Sequence, residues 1–114
     1  MHEAAVAQDL LEVICKEARK QEARPVAARI SCGQLNAIND EVLCFAFEAI
    51  ARGTACEGMT LQVEHKSMQA RCSRCKDVFD LNLAEARCPS CGVDDFELLP
   101  DAPLVLEEIE FDKE

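Results

Sequence analysis

Four cysteines stand in two pairs of equal spacing, Cys72-Ser-Arg-Cys75 and Cys88-Pro-Ser-Cys91, with twelve residues between the pairs. Two residues between cysteines let both sulfurs of a turn reach one ion while the turn's amides donate to the thiolates. Two such turns make a closed tetrahedral S₄ site, for which Zn²⁺ is the preferred occupant. Pro89 stiffens the second turn, and Gly92 permits the backbone to close beneath the metal. Arg71, Arg74, Lys76 and Arg87 surround the module, an excess of base that suits a site of net charge −2. Iron in a rubredoxin-like S₄ site and a dithiol redox centre are the competing readings. The site leaves no open coordination position, so its expected role is structural or sensory.

A second constellation lies at Met1-His2-Glu3. The α-amine of Met1, the amide and imidazole nitrogens of His2, and the amide of Glu3 can form a planar N₄ set suited to Ni²⁺ or Cu²⁺. The Glu3 carboxylate can accept a hydrogen bond from that shell or tune its metal preference. A terminal histidine is ordinarily a solvated side chain. His65, on the apolar parity of an expected strand, reads as a structural histidine. The remaining cysteines, Cys15, Cys32, Cys44 and Cys56, lack ligand spacing. The first three read as buried small side chains, and Cys56 as an exposed turn thiol. No nucleophilic triad can be assembled, so the chain does not read as an enzyme.

The elements that must hold these residues follow from periodicity. Val6, Leu10, Val13 and Glu17, widened by Leu11 and Ile14, predict a helix from Glu3 to about Gln21. Pro25 marks a break, after which Val26, Ala28, Ile30 and Cys32 alternate as a half-buried strand ending at Gly33. Asn36 or Asn39 can cap a second helix with Leu43, Phe47 and Ile50 on one stripe and Gly53 at its stop. Glu57-Gly58 turns into a strand in which Leu61, Val63 and His65 share a face. Phe96, Leu98 and Leu99 make a short apolar piece, and the segment from Leu104 to Phe111 makes a further strand. Its run Leu104-Val105-Leu106 breaks parity, through either a bulge or burial on both faces.

The expected fold is α+β: a small mixed sheet covered by two helices, with an inserted zinc-ribbon-like module of four cysteines. The expected division is 1–70 plus 94–114 for the part that carries the N-terminal metal constellation and 71–93 for the zinc module. The chain has 114 residues, eight cysteines and a formal net charge of −10. Residues 94–114 hold nine acids and one lysine, so −8 of that charge falls on the last strand and its flanks. The acidity argues against binding nucleic acid through phosphates. No run suits a membrane helix and the start lacks a signal-peptide pattern, so a cytoplasmic protein is expected. Thiols in a reducing compartment favour metal ligation over disulfides.

Taken in order, these pieces resemble the HypA family of metallochaperones for nickel insertion into [NiFe]-hydrogenase and, in some organisms, urease. The resemblance rests on Met1-His2-Glu3, Ile30-Ser-Cys-Gly33, Phe45-Ala-Phe-Glu48, Gly53-Thr54 with Glu57-Gly58, the paired cysteine turns, and Leu106-Glu-Glu-Ile109-Glu110. It implies labile Ni²⁺ at Met1, His2 and Glu3 and structural Zn²⁺ at Cys72, Cys75, Cys88 and Cys91. It also implies a nickel-insertion GTPase (HypB-type) and the hydrogenase large-subunit precursor as partners, with the chain a monomer or weak homodimer. Ala5 stands where many members carry Ser, and Asp101-Ala102-Pro103 replaces a more usual glycine turn. A zinc-ribbon interaction or regulatory module without nickel delivery is the alternative.

Overall fold

The computed structural model describes residues 2–35 and 38–112; Met1 and Asn36, both named above, lie outside them. The element order is α1 (Glu3–Gln21), β1 (Arg24–Gly33), α2 (Asp40–Ala51), β2 (Thr60–Lys66), β3 (Gln69–Cys72), β4 (Val78–Asp80), β5 (Phe96–Leu98) and β6 (Val105–Asp112). The strands form two three-stranded sheets, ordered β2-β1-β6 and β4-β3-β5. The chain divides into two compact units. One holds 1–31, 37–64 and 104–114; the other holds 32–36 and 65–103. The second unit is wider than 71–93 because its sheet needs β3 and β5, which lie partly or wholly outside that segment.

In the first unit, α1 packs against α2. The buried face of α1 is Ala7, Leu10, Leu11, Ile14 and Ala18, while Val13 is exposed. This face takes in Ala7 and Ala18 and leaves out Val13, which the expected stripe included. The stripe of α2 is Leu43, Phe47 and Ala51, with Phe45 outside it at 73% exposure. Asn39 caps α2, its side chain accepting from the Val42 amide at 3.1 Å. Ala28 and Ile30 of β1 are buried too, as are Ile38, Cys56 and Met59.

Pro25 does not precede β1 but lies within it, opposite Phe111 of β6. A central strand tolerates a residue without an N–H here because the ladder slips between Pro25 and Ala27. A second irregularity skips Glu107, between the pairs Arg29–Glu108 and Ile30–Leu106. That bulge decides the broken parity of the last strand. Its extra residue accepts a hydrogen bond at Glu107 Oε1 from the Oγ of fully buried Ser31, at 3.2 Å. Arg29 reaches across the same sheet to Glu64 at 3.1 Å and Glu108 at 4.0 Å.

The second unit is a small antiparallel sheet over a core of Ala70, Cys72, Phe79 and Cys88, with Leu81, Val93 and Phe96 packed against it. Phe79 and Phe96 meet edge to face, their centroids 5.9 Å apart. Arg71 pairs with Glu97 across the strands at 3.4 Å. Gly33 has no room for a side chain: a Cβ there would overlap the Asp101 carboxylate.

Candidate metal centre

The two cysteine turns have the same backbone plan. In the first, the Cys72 amide donates to Asp77 O at 2.9 Å and the Lys76 amide to Cys72 O at 3.1 Å. In the second, the Cys88 amide donates to Val93 O at 2.9 Å and the Gly92 amide to Cys88 O at 2.8 Å. Each turn closes through a left-handed residue just after its second cysteine, Lys76 at φ 66° and Gly92 at φ 79°. Gly92 follows from the sequence rule for tight turns. Lys76 does not stand out by residue type, although Cys-x-x-Cys-Lys repeats the position of Cys-x-x-Cys-Gly.

These turns bring the Sγ atoms of Cys72, Cys75, Cys88 and Cys91 within 4.8 Å of one another. Cys72 and Cys91 are 3.5 Å apart, and Cys75 and Cys88 3.6 Å. The first cysteine of each turn is buried and the second is exposed. One sulfur pair is thus anchored in the core while the other faces outward.

The thiols differ electrostatically in the same alternation. Hydrogen bonding from the Cys75 amide lowers the Cys72 thiol to about 6 against desolvation, with the Arg74 amide adding to it. The Cys75 amide lies 3.4 Å from that sulfur. At Cys88 desolvation opposes ionisation, but the amides of Cys91 and Ser90 bring the thiol down. At Cys75 the Asp77 amide favours the thiolate. Desolvation and hydrogen bonding to the other three sulfurs nevertheless push it up to about 12. Cys91 is raised likewise: the Val93 amide favours its thiolate, and desolvation with bonds to Cys72 and Cys88 outweighs it. Backbone amides stabilise the thiolates of Cys72 and Cys88. Arg71 is engaged with Glu97, and Lys76 Nζ donates to Ser73 O at 2.9 Å.

A four-thiolate, oxygen-free donor set with closed geometry suits Zn²⁺. A family model for hydrogenase/urease nickel incorporation, metallochaperone HypA, matches residues 1–111. The chain belongs to the HypA family. A hydrogenase maturation factor HypA of Syntrophus aciditrophicus (strain SB) is 34% identical over 93 residues, covering 81% of this chain and 82% of that protein. HypA of Klebsiella pneumoniae (strain 342) is 30% identical over 114 residues, covering 98% and 100%. Among solved structures, the solution structure of the Ni metallochaperone HypA from Helicobacter pylori matches with a TM-score of 0.62 at 24% identity, covering the whole of both chains. A second HypA solution structure matches with a TM-score of 0.73 at 22% identity, over 100% of this chain and 98% of that one. The α+β fold is thus that of HypA structures, and HypA is a nickel metallochaperone family of hydrogenase and urease maturation.

Among the described residues, the others singled out in this HypA sequence are not members of the thiol cluster. Met1 is outside the described residues. His2 is the exposed N-cap of α1; its carbonyl accepts from the Val6 amide at 3.1 Å, and its side chain makes no capping bond. Glu3 opens the helix half-buried, and its Oε2 is buried with no hydrogen-bond partner among the described residues. His65 is exposed, with Nδ1 3.7 Å from the Sγ of buried Cys32. Cys56, expected in an exposed turn, is fully buried, its sulfur 3.3 Å from that of Cys15. The correction has a packing cause: the 53–58 turn folds its thiol inward toward α1. Among the described residues, no helix is long and apolar enough to cross a membrane.

Proposed function

We propose that this HypA-family chain carries Ni²⁺ at Met1, His2 and Glu3 and delivers it during hydrogenase maturation. Zn²⁺ held by Cys72, Cys75, Cys88 and Cys91 shapes the second unit. The observation that carries the nickel reading is the buried Glu3 Oε2, which has no hydrogen-bond partner among the described residues, beside a histidine whose ring is not spent on capping. A buried carboxylate oxygen is costly unless a donor or cation meets it. The amides of His2 and Glu3 also belong to the helix end whose N–H groups have no intrahelical acceptor. A metal can therefore take these nitrogens without breaking a helical hydrogen bond. In a chain starting at Met1, the α-amine completes the set.

The role is carriage, with no catalytic step assigned to the chain. Its expected partners are a nickel-insertion GTPase of HypB type and the hydrogenase large-subunit precursor, met in the cytoplasm by a monomer or weak homodimer. His2 and Glu3 belong to the first unit, and the zinc ligands fall within 71–93 of the second.

The test is an untagged protein with two residues added before Met1, beside His2→Ala. Nickel titration should fall from one equivalent to none, while elemental analysis still finds one zinc per chain. Unchanged nickel affinity in the extended protein defeats the N-terminal assignment and leaves the zinc-ribbon interaction module as the reading.

A further inference from the structure

Outside the four-thiol cluster, two cysteines 41 residues apart meet sulfur to sulfur: Cys15 of α1 and Cys56 of the 53–58 turn, at 3.3 Å. Cys44 instead donates to Leu61 O at 3.5 Å, and Cys32 faces His65. The encounter is built from both sides. Cys15 lies in the third quarter of a long helix whose neighbours Leu11, Ile14 and Ala18 are core residues. The turn carrying Cys56 is tied down by a dense set of hydrogen bonds. Thr54 Oγ1 donates to Ala51 O at 2.6 Å and accepts from the Cys56 amide at 3.1 Å. The Gly53 amide donates to Glu57 Oε1 at 3.1 Å, and the Met59 amide to Cys56 O at 3.2 Å. Neither sulfur needs backbone movement to stay near the other.

We propose that Cys15 and Cys56 form an oxidisable dithiol site, closed reversibly to a disulfide by hydroperoxides, that ties α1 to the α2–β2 connection. Two thiols at this separation need only a small side-chain shift to reach bonding distance. Cys15 is the half-buried partner and Cys56 the fully buried one, so oxidant meets Cys15 first. Its sulfur attacks the peroxide, the O–O bond breaks, and a sulfenic acid and one water (or alcohol) result. Cys56 Sγ then attacks that sulfur; the S–S bond forms and the S–O bond breaks. The departing hydroxide takes the Cys56 proton as water. Two thiols are oxidised by two electrons and the peroxide is reduced by two. Burial, and a hydrogen bond in which the Cys56 S–H donates to Cys15 Sγ, push the Cys56 thiol up to about 12, so Cys56 rests protonated while Cys15 meets the oxidant.

The experiment uses the full zinc-loaded chain, reduced, then titrated with hydrogen peroxide, alkylated and digested with trypsin without reductant. Cleavage after Lys16, Arg52 and Lys66 places Cys15 alone in peptide 1–16 and Cys56 alone in peptide 53–66. The expected product joins these two peptides, is reversed by dithiothreitol, keeps its zinc, and melts roughly 5 °C or more above the reduced protein. Cys15→Ser and Cys56→Ala should each lack the joined product, and the wild-type map decides the matter if either variant fails to fold. The proposal is overturned if Cys15 goes to sulfinic acid with peptide 53–66 unlinked. It is equally overturned if sulfurs of Cys72–Cys91 cross-link first with zinc loss, or if the linked form melts below the reduced one.

Discussion

Lys76 holds a left-handed backbone that its side chain makes costly, while Gly92 holds the matching position without cost. Nothing lies within 4 Å of a Cβ built on Gly92, so conformation alone sets the effect of a substitution there. Gly92→Ala should therefore destabilise the second unit by about 1 kcal/mol. Lys76→Gly should stabilise it by up to ~1 kcal/mol, less what the Lys76 bond to Ser73 O contributes. Chemical denaturation of zinc-loaded protein measures both, and equal losses would remove the argument. The buried Cys56 thiol supplies a second residue-scale test. Its folded value is raised from 9.0 to about 12, by burial first and Cys15 second. A raised value means the neutral form is favoured in the fold. Its contribution is complete below pH 9.0 and is lost as pH climbs toward about 12. Thermal melts of the zinc-loaded protein should fall across that alkaline window, and Cys56→Ala should flatten the decline.

At the scale of elements, α2 separates two phenylalanines two positions apart. Phe47 is 1% exposed in the core, and Phe45 is 73% exposed. Phe47→Ala should cost about 3–5 kcal/mol through lost burial and a cavity. Phe45→Ala should change stability by no more than ~0.5 kcal/mol. Comparable losses in urea denaturation would contradict the assigned face. Helical spacing made Leu43 and Phe47 legible as core, and α1 was legible end to end. The choice between Ile50 and Ala51, or Val13 and Ala18, was not: both stripes satisfy the same period. Which one is buried depends on how closely two helices approach, and only the partner helix supplies that distance. The strands tell the same story. Alternation read Ala28 and Ile30 as inward, but the slip at Pro25–Ala27 and the bulge at Glu107 depend on pairing between β1 and the last strand of the chain.

For the whole molecule, the division into two units makes metal removal a directed test. Two of the four buried core residues of the second unit, Cys72 and Cys88, belong to the thiol cluster. Without an ion, half of that small core becomes a set of thiols sharing protons, and the sheet β4-β3-β5 loses its anchor. Structural zinc sites of this kind are worth about 10–16 kcal/mol of apparent binding energy in folding. Chelation should therefore abolish amide protection in 69–98 while the helical circular dichroism of α1 and α2 persists. Cooperative loss of both together would show that the first unit does not stand alone. The cysteine module was legible as a module, since its spacing and local turns are properties of short segments. Its true extent was not, because β3 and β5 carry no cysteine motif beyond Cys72 and are joined to it only by pairing.

From the residues alone came the four-cysteine cluster, the family and the α+β class. Each rests on local rules: ligand spacing, caps, periodicity, and motifs in order. The tertiary structure decided which helix faces are buried, where the strands slip, and that Cys56 turns inward to meet Cys15 from 41 residues away. Those outcomes are set by close packing between segments distant along the chain. Such packing selects among faces and registers that local patterning leaves equivalent in energy.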